Sequence, residues 1–141
     1  MTAPQSTPRR DRWVRAVGYG LLAEIATILT IVAVVLVYRY VFARGQSDAD
    51  YLAFAQRVGA VLGVIGGTVY VFLFAHRLMR RLSSGFVAHG IVLALAAIAL
   101  SIGGSLAGHQ GIPPAYVLAS ALKLAGGALA GWLASSRAHA T

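Results

Sequence analysis

The stretch AVGYGLLAEIATILTIVAVVLV, residues 16–37, decides the fold. Its apolar side chains recur on every face of a helix instead of forming one stripe, and at 1.5 Å per residue it reaches across a hydrocarbon core about 30 Å thick. Three further blocks of the same kind follow, at about residues 58–75, 86–106 and 115–133. Backbone amides in lipid must be satisfied within the segment, so each block is predicted to be a transmembrane helix. The expected fold is an all-α membrane protein with four transmembrane helices in a compact bundle, packed in chain order with helices one and four adjacent.

Composition agrees. The chain is 58% hydrophobic and only 11% charged, against about a quarter charged in a soluble domain. The first apolar run outlasts a signal-peptide core of about 7–15 residues, and Tyr38, Arg39 and Tyr40 after it offer no small-residue cleavage site. It reads as a retained helix. Ahead of it, residues 1–13 carry Pro4, Ser6, Thr7, Pro8, Arg9, Arg10 and Arg12 and are predicted to be a disordered basic arm. Residues 14–134 form the membrane domain, and 135–141 a frayed tail. Residues 38–57, mixed and polar, are expected to form a loop holding a short interfacial helix. Ser83, Ser84 and Gly85 make a tight turn, and Gly108, His109, Gln110, Gly111, Pro113 and Pro114 link the last two helices.

The net charge of +8 lies at the ends of the apolar blocks, not along one polar face, which argues against nucleic acid as a partner. Arg9, Arg10, Arg12, Arg15, Arg77, Arg80, Arg81 and Arg137 fall on one side, and Arg39, Arg44 and Arg57 on the other. This bias predicts both termini in the cytoplasm, with Arg9, Arg10, Arg12, Arg77, Arg80 and Arg81 setting the topology of a multi-pass protein in a bacterial-type inner membrane.

Two ionisable residues lie inside predicted spans: Glu24 about 12 Å and Lys123 about 15 Å from the inner ends of helices one and four. A charge at such depth costs at least about 2.5–3.5 kcal/mol and calls for a partner. Thr27 shares the face of Glu24, and Ser120 that of Lys123. One reading is a structural ion pair fixing helix register. The other is a coupling site on a solute or proton path. Snorkelling of Lys123 beside a protonated Glu24 is a third.

Gly20, Leu21, Leu22, Ala23 and Glu24 resemble the first helix of the small multidrug resistance transporters, compact four-helix proteins with a membrane-embedded Glu in a similar Leu-Ala-Glu setting. The resemblance implies a coupling role for Glu24 and covers about one helix. The chain departs from that family in its greater length, its larger first external loop, Lys123, the absence of a matching aromatic set in helices two and three, and a charge bias that fixes one orientation. Membership is not claimed.

Gly59, Gly63 and Gly67 in helix two and Gly127 and Gly131 in helix four recur at spacing four and are expected to form close-packed or oligomer faces. Four histidines and no cysteine give no metal or haem set: His76 and His89 sit at one interface beside Arg77, so neither cofactor nor metal is expected. Ser101 and Ser105 have no base beside them, so no catalytic residue is assigned and no enzymatic activity is expected. The functional expectation is an accessory, interaction or structural subunit of a membrane assembly, partnered by the bilayer and by itself or a larger complex. The alternative is a small proton- or cation-coupled transporter or channel using Glu24 with Lys123 as counter-ion. No small-molecule substrate is indicated.

Overall fold

A computed structural model describes residues 9–108, 112 and 114–138. Helices α1 (Arg9–Val37), α2 (Asp48–Met79), α3 (Phe86–Ala107) and α4 (Pro114–Ala138) account for nearly all of it, and no strand occurs among the described residues. All four are long and apolar enough to cross a membrane. The expected arm lies partly in residues 1–8, outside the described residues. From Arg9 onward, though, the chain is already helical, because Asp11 sits in the first turn against the helix dipole and Ala16 is fully buried. His109, Gln110, Gly111, Pro113 and residues 139–141 also lie outside the described set.

The loop expected over residues 38–57 is instead mostly helix. Tyr38–Phe42 continue α1 as a π-helical turn, closed by the Ala43 N–H donating to the Tyr38 carbonyl at 2.9 Å. Gly45, at φ 87°, reverses the chain. Ser47 then caps α2: its Oγ accepts from the Asp50 N–H at 3.3 Å, and Asp50 Oδ2 accepts from the Ser47 N–H at 3.3 Å. The short interfacial helix expected there is the first part of α2.

Contacts between named residues fix the directions. Thr30 meets Tyr70, and Tyr38 meets Phe54, so α1 and α2 are antiparallel. Trp13 meets His89, and Gly20 lies on Leu93, so α1 and α3 are parallel. Gly90 lies on Gly127, and Gly131 on Phe86 and Val87, so α3 and α4 are antiparallel. The start of α1 and the end of α4 are therefore at one end of the bundle.

Around the bundle the order is α1, α2, α4, α3: α1 packs on α2 and α3, α4 packs on the same two, and α1 and α4 face each other across the diagonal. Packing in chain order, with helices one and four adjacent, is thus corrected. The cause is where the small residues lie. Gly90 and Gly127 bring the α3 and α4 backbones together, and Gly126 receives Thr68, drawing α4 onto α2. The core is thin and built of small side chains: Ala16, Ala23, Ala75, Ala94, Ala97 and Ala130 around Val71, Leu78 and Leu93. The large apolar side chains mostly point outward, as Leu29, Val61, Ile65, Leu95 and Val117 do. This distribution suits lipid, in which an outward Leu costs nothing.

The helices differ in reach. Ala107 ends α3 level with about residues 31–34 of α1, so α1 and its π turn stand about 12–16 Å past it, and Asp48 to Arg57 of α2 extend about 15 Å past the start of α4. A two-helix tip therefore projects from the end opposite the termini.

Candidate functional site

Helix α1 buries one face, carrying Ala16, Gly20, Ala23, Glu24 and Thr27, at spacings of three and four. Helix α4 buries Lys123, Gly126, Gly127, Ala130 and Gly131 in the same way. Where the two faces look across the diagonal, Lys123 Nζ donates to Glu24 Oε2 at 2.5 Å, a charge-assisted bond between side chains only 3% and 6% exposed. Neither side chain snorkels. The sequence placed both residues near the same depth; the structure joins them through the centre of the bundle, not along a helix–helix seam.

Gly67 of α2 makes this crossing possible. A Cβ there would stand 2.6 Å from Lys123 Cε and 3.4 Å from its Nζ, so the lysine stem lies on the bare backbone of α2. The same Cβ would come within 3.8 Å of Thr27 Cγ2. Three helices thus meet at one ion pair. Thr27 is fully enclosed, but its hydroxyl donates to the Ala23 carbonyl at 2.9 Å and not to the carboxylate. Ser120 is half-buried on the face of Lys123, and no hydrogen bond joins it to the pair. Both flank the site without completing it. One turn farther from the termini, Thr30 Oγ1 donates to the Ala26 carbonyl at 2.8 Å and meets the Tyr70 hydroxyl at 2.8 Å, tying α1 to α2.

The glycines divide. Gly67 receives Lys123, and Gly127 and Gly131 receive α3, a Cβ at Gly131 standing 2.6 Å from Val87 Cα. Gly59 and Gly63 have nothing within 4 Å of where a Cβ would be. Arg10, Arg12, Arg77, Arg80 and Arg81 gather at the termini end, where the backbone of Arg9 also lies.

Reading by sequence missed two features. Gly20, on the face of Glu24, and Gly90 each press directly on a neighbouring backbone, and neither has a glycine four residues away to mark it among the sixteen. His89 is no idle interfacial residue: its ring stacks on Trp13 with centroids 4.2 Å apart, and Nδ1 lies 2.7 Å from the Gly85 carbonyl. A carbonyl can only accept, so Nδ1 donates to it, and Nε2 is buried with no hydrogen-bond partner among the described residues. Its spacing of four from Gly85, a turn glycine at φ 68°, was the available signal. Among the described residues no group of histidines and acids could hold a metal ion. Set against known proteins, the chain matches no family model, no curated protein and no solved structure.

Proposed function

We propose that the protein is a non-enzymatic accessory or structural subunit of a membrane assembly, oriented with both termini in the cytoplasm of a bacterial-type inner membrane. The observation that carries this reading is the enclosure of Glu24 and Lys123 by each other and by α2. A coupling carboxylate must exchange a proton or solute with an aqueous path, whereas a register lock needs only its partner. The positions at Gly59 and Gly63, where no described residue comes within 4 Å of an added Cβ, suit close approach of a helix from a second copy or a larger complex.

The test couples stability to flux. Glu24→Gln should lower thermal stability in bicelles by about 3–5 kcal/mol, since it strands a buried ammonium, and Glu24→Gln with Lys123→Met should recover most of the loss. Proton or cation flux into proteoliposomes that vanishes in Glu24→Gln but survives in a surface variant would replace this reading with the transporter. Association is checked separately: Gly59→Leu with Gly63→Leu should leave the bundle folded and abolish its self-association or partner capture in the membrane.

A further inference from the structure

We propose that the seam between α1 and α2, at the end bearing the chain termini, is a binding site for the phosphate of an anionic membrane lipid, held by Arg12, Arg15, Arg77 and Arg81. The placement follows from register. Tyr19 and Phe74 face each other across the seam with ring centroids 6.0 Å apart. On α1, Arg12, Arg15 and Tyr19 recur at spacings of three and four and so share the face turned to α2. On α2, Tyr70, Phe74 and Arg77 recur at four and three, and Tyr70 is itself bonded to α1 through Thr30. Arg81 lies in the turn just past the end of α2, its N–H donating to the Leu78 carbonyl at 2.9 Å. In this antiparallel pair Arg15 lies level with about Leu78, and Arg12 with about Arg81. The register therefore sets Arg12, Arg15 and Arg77 along one seam beside Tyr19 and Phe74, with Arg81 in the turn at its end.

Nothing in the described chain neutralises them. Asp11 is the one acid at this end, and it forms no ion pair with any of the four. Arg15, Arg77 and Arg81 are exposed, and Arg12 is half-buried. Their depth selects the counter-ion. Arg15 and Arg77 lie about 14–15 Å along the helices from the level of the Glu24–Lys123 pair, and Arg12 and Arg81 about 18–21 Å. Placing the ion pair at the midplane of a hydrocarbon core with a half-thickness near 15 Å puts all four in the layer of lipid phosphates, short of where a soluble acidic partner would dock. Guanidinium forks suit phosphate oxygens, and Tyr19 and Phe74 offer an apolar bed for the lipid backbone. The site goes beyond orientation, since charges that only set topology need not share a seam, and it is independent of the role proposed for the ion pair.

The experiment uses the full chain in nanodiscs of phosphatidylcholine, of phosphatidylglycerol and of their mixture, with lipid retention read by native mass spectrometry and stability by thermal unfolding. Phosphatidylglycerol should be retained selectively from the mixture and should raise the unfolding temperature, and the gain should shrink at high salt. Arg77→Gln with Arg81→Gln should cut the preference roughly 25-fold, about fivefold per arginine. Arg10→Gln with Arg80→Gln removes the same charge from the same end, off the seam, and should leave the preference unchanged. Equal retention of both lipids by the wild type, equal loss in the two double variants, or the same stabilisation by inorganic phosphate in phosphatidylcholine discs would each overturn the site. The salt dependence of the wild type decides the matter if a variant does not fold.

Discussion

At the level of single residues, the centre of the bundle depends on what is missing from Gly67 as much as on the charges beside it. Adding a methyl there pushes on the flexible lysine stem, not on backbone, so Gly67→Ala should cost about 1–3 kcal/mol in thermal unfolding and be largely rescued by shortening the stem in a Glu24→Gln, Lys123→Ala background. Thr27 distinguishes a flanking role from membership of the site. Its hydroxyl is spent on the Ala23 carbonyl, so Thr27→Val should change stability by no more than about 1 kcal/mol, far less than Glu24→Gln. Glu24 and Lys123 were legible in the sequence because a charge inside an apolar run has few fates. His89 was not, since its environment comes from Trp13, far away in the chain.

Among the elements, the tip of α1 and α2 departs most from the sequence reading. Arg39, Arg44, Asp48 and Asp50 gave residues 38–57 the look of a loop, although Ser47 followed by Asp50 three residues on is a cap signature in its own right. Contacts without help from α3 or α4 order it. Tyr38 stacks on Phe54 at 3.6 Å, the Tyr51 hydroxyl donates to the Ala43 carbonyl at 2.6 Å, and Arg39 lies over the Tyr51 ring while reaching Asp48 at 3.4 Å. Backbone amides across Tyr51 to Arg57 should therefore exchange with deuterium far more slowly than those of an open loop, and Tyr51→Phe should speed that exchange by roughly fivefold, the equivalent of one hydrogen bond near 1 kcal/mol. Gly45→Ala, forced into a left-handed backbone, should loosen the same amides.

For the whole molecule, four helices long and apolar enough to cross a membrane were legible and their arrangement was not. In water the buried face of a helix is its apolar face; in lipid both faces are apolar, and the partner of each helix is chosen by small residues such as Gly90, Gly126 and Gly127. The ring order can be checked directly, because the chain has no cysteine. Thr68→Cys with Gly126→Cys should close an intramolecular disulfide on mild oxidation, since a Cβ at Gly126 lies 3.3 Å from Thr68 Cγ2. A bundle wound in chain order would place those two positions apart and give only mixtures between molecules.

The diagonal ion pair also has a history in time. Its partners lie 99 residues apart, and a ribosome adding about 5–20 residues per second delivers Glu24 to the bilayer on the order of 5–20 s before Lys123. During that interval the carboxylate has no ammonium to meet, and the nascent chain carries an uncompensated polar group. Arrival of the last helix removes it. A chain truncated before α4 keeps it permanently, so in such a truncation Glu24→Gln should slow degradation in cells, the opposite of its effect on the full chain.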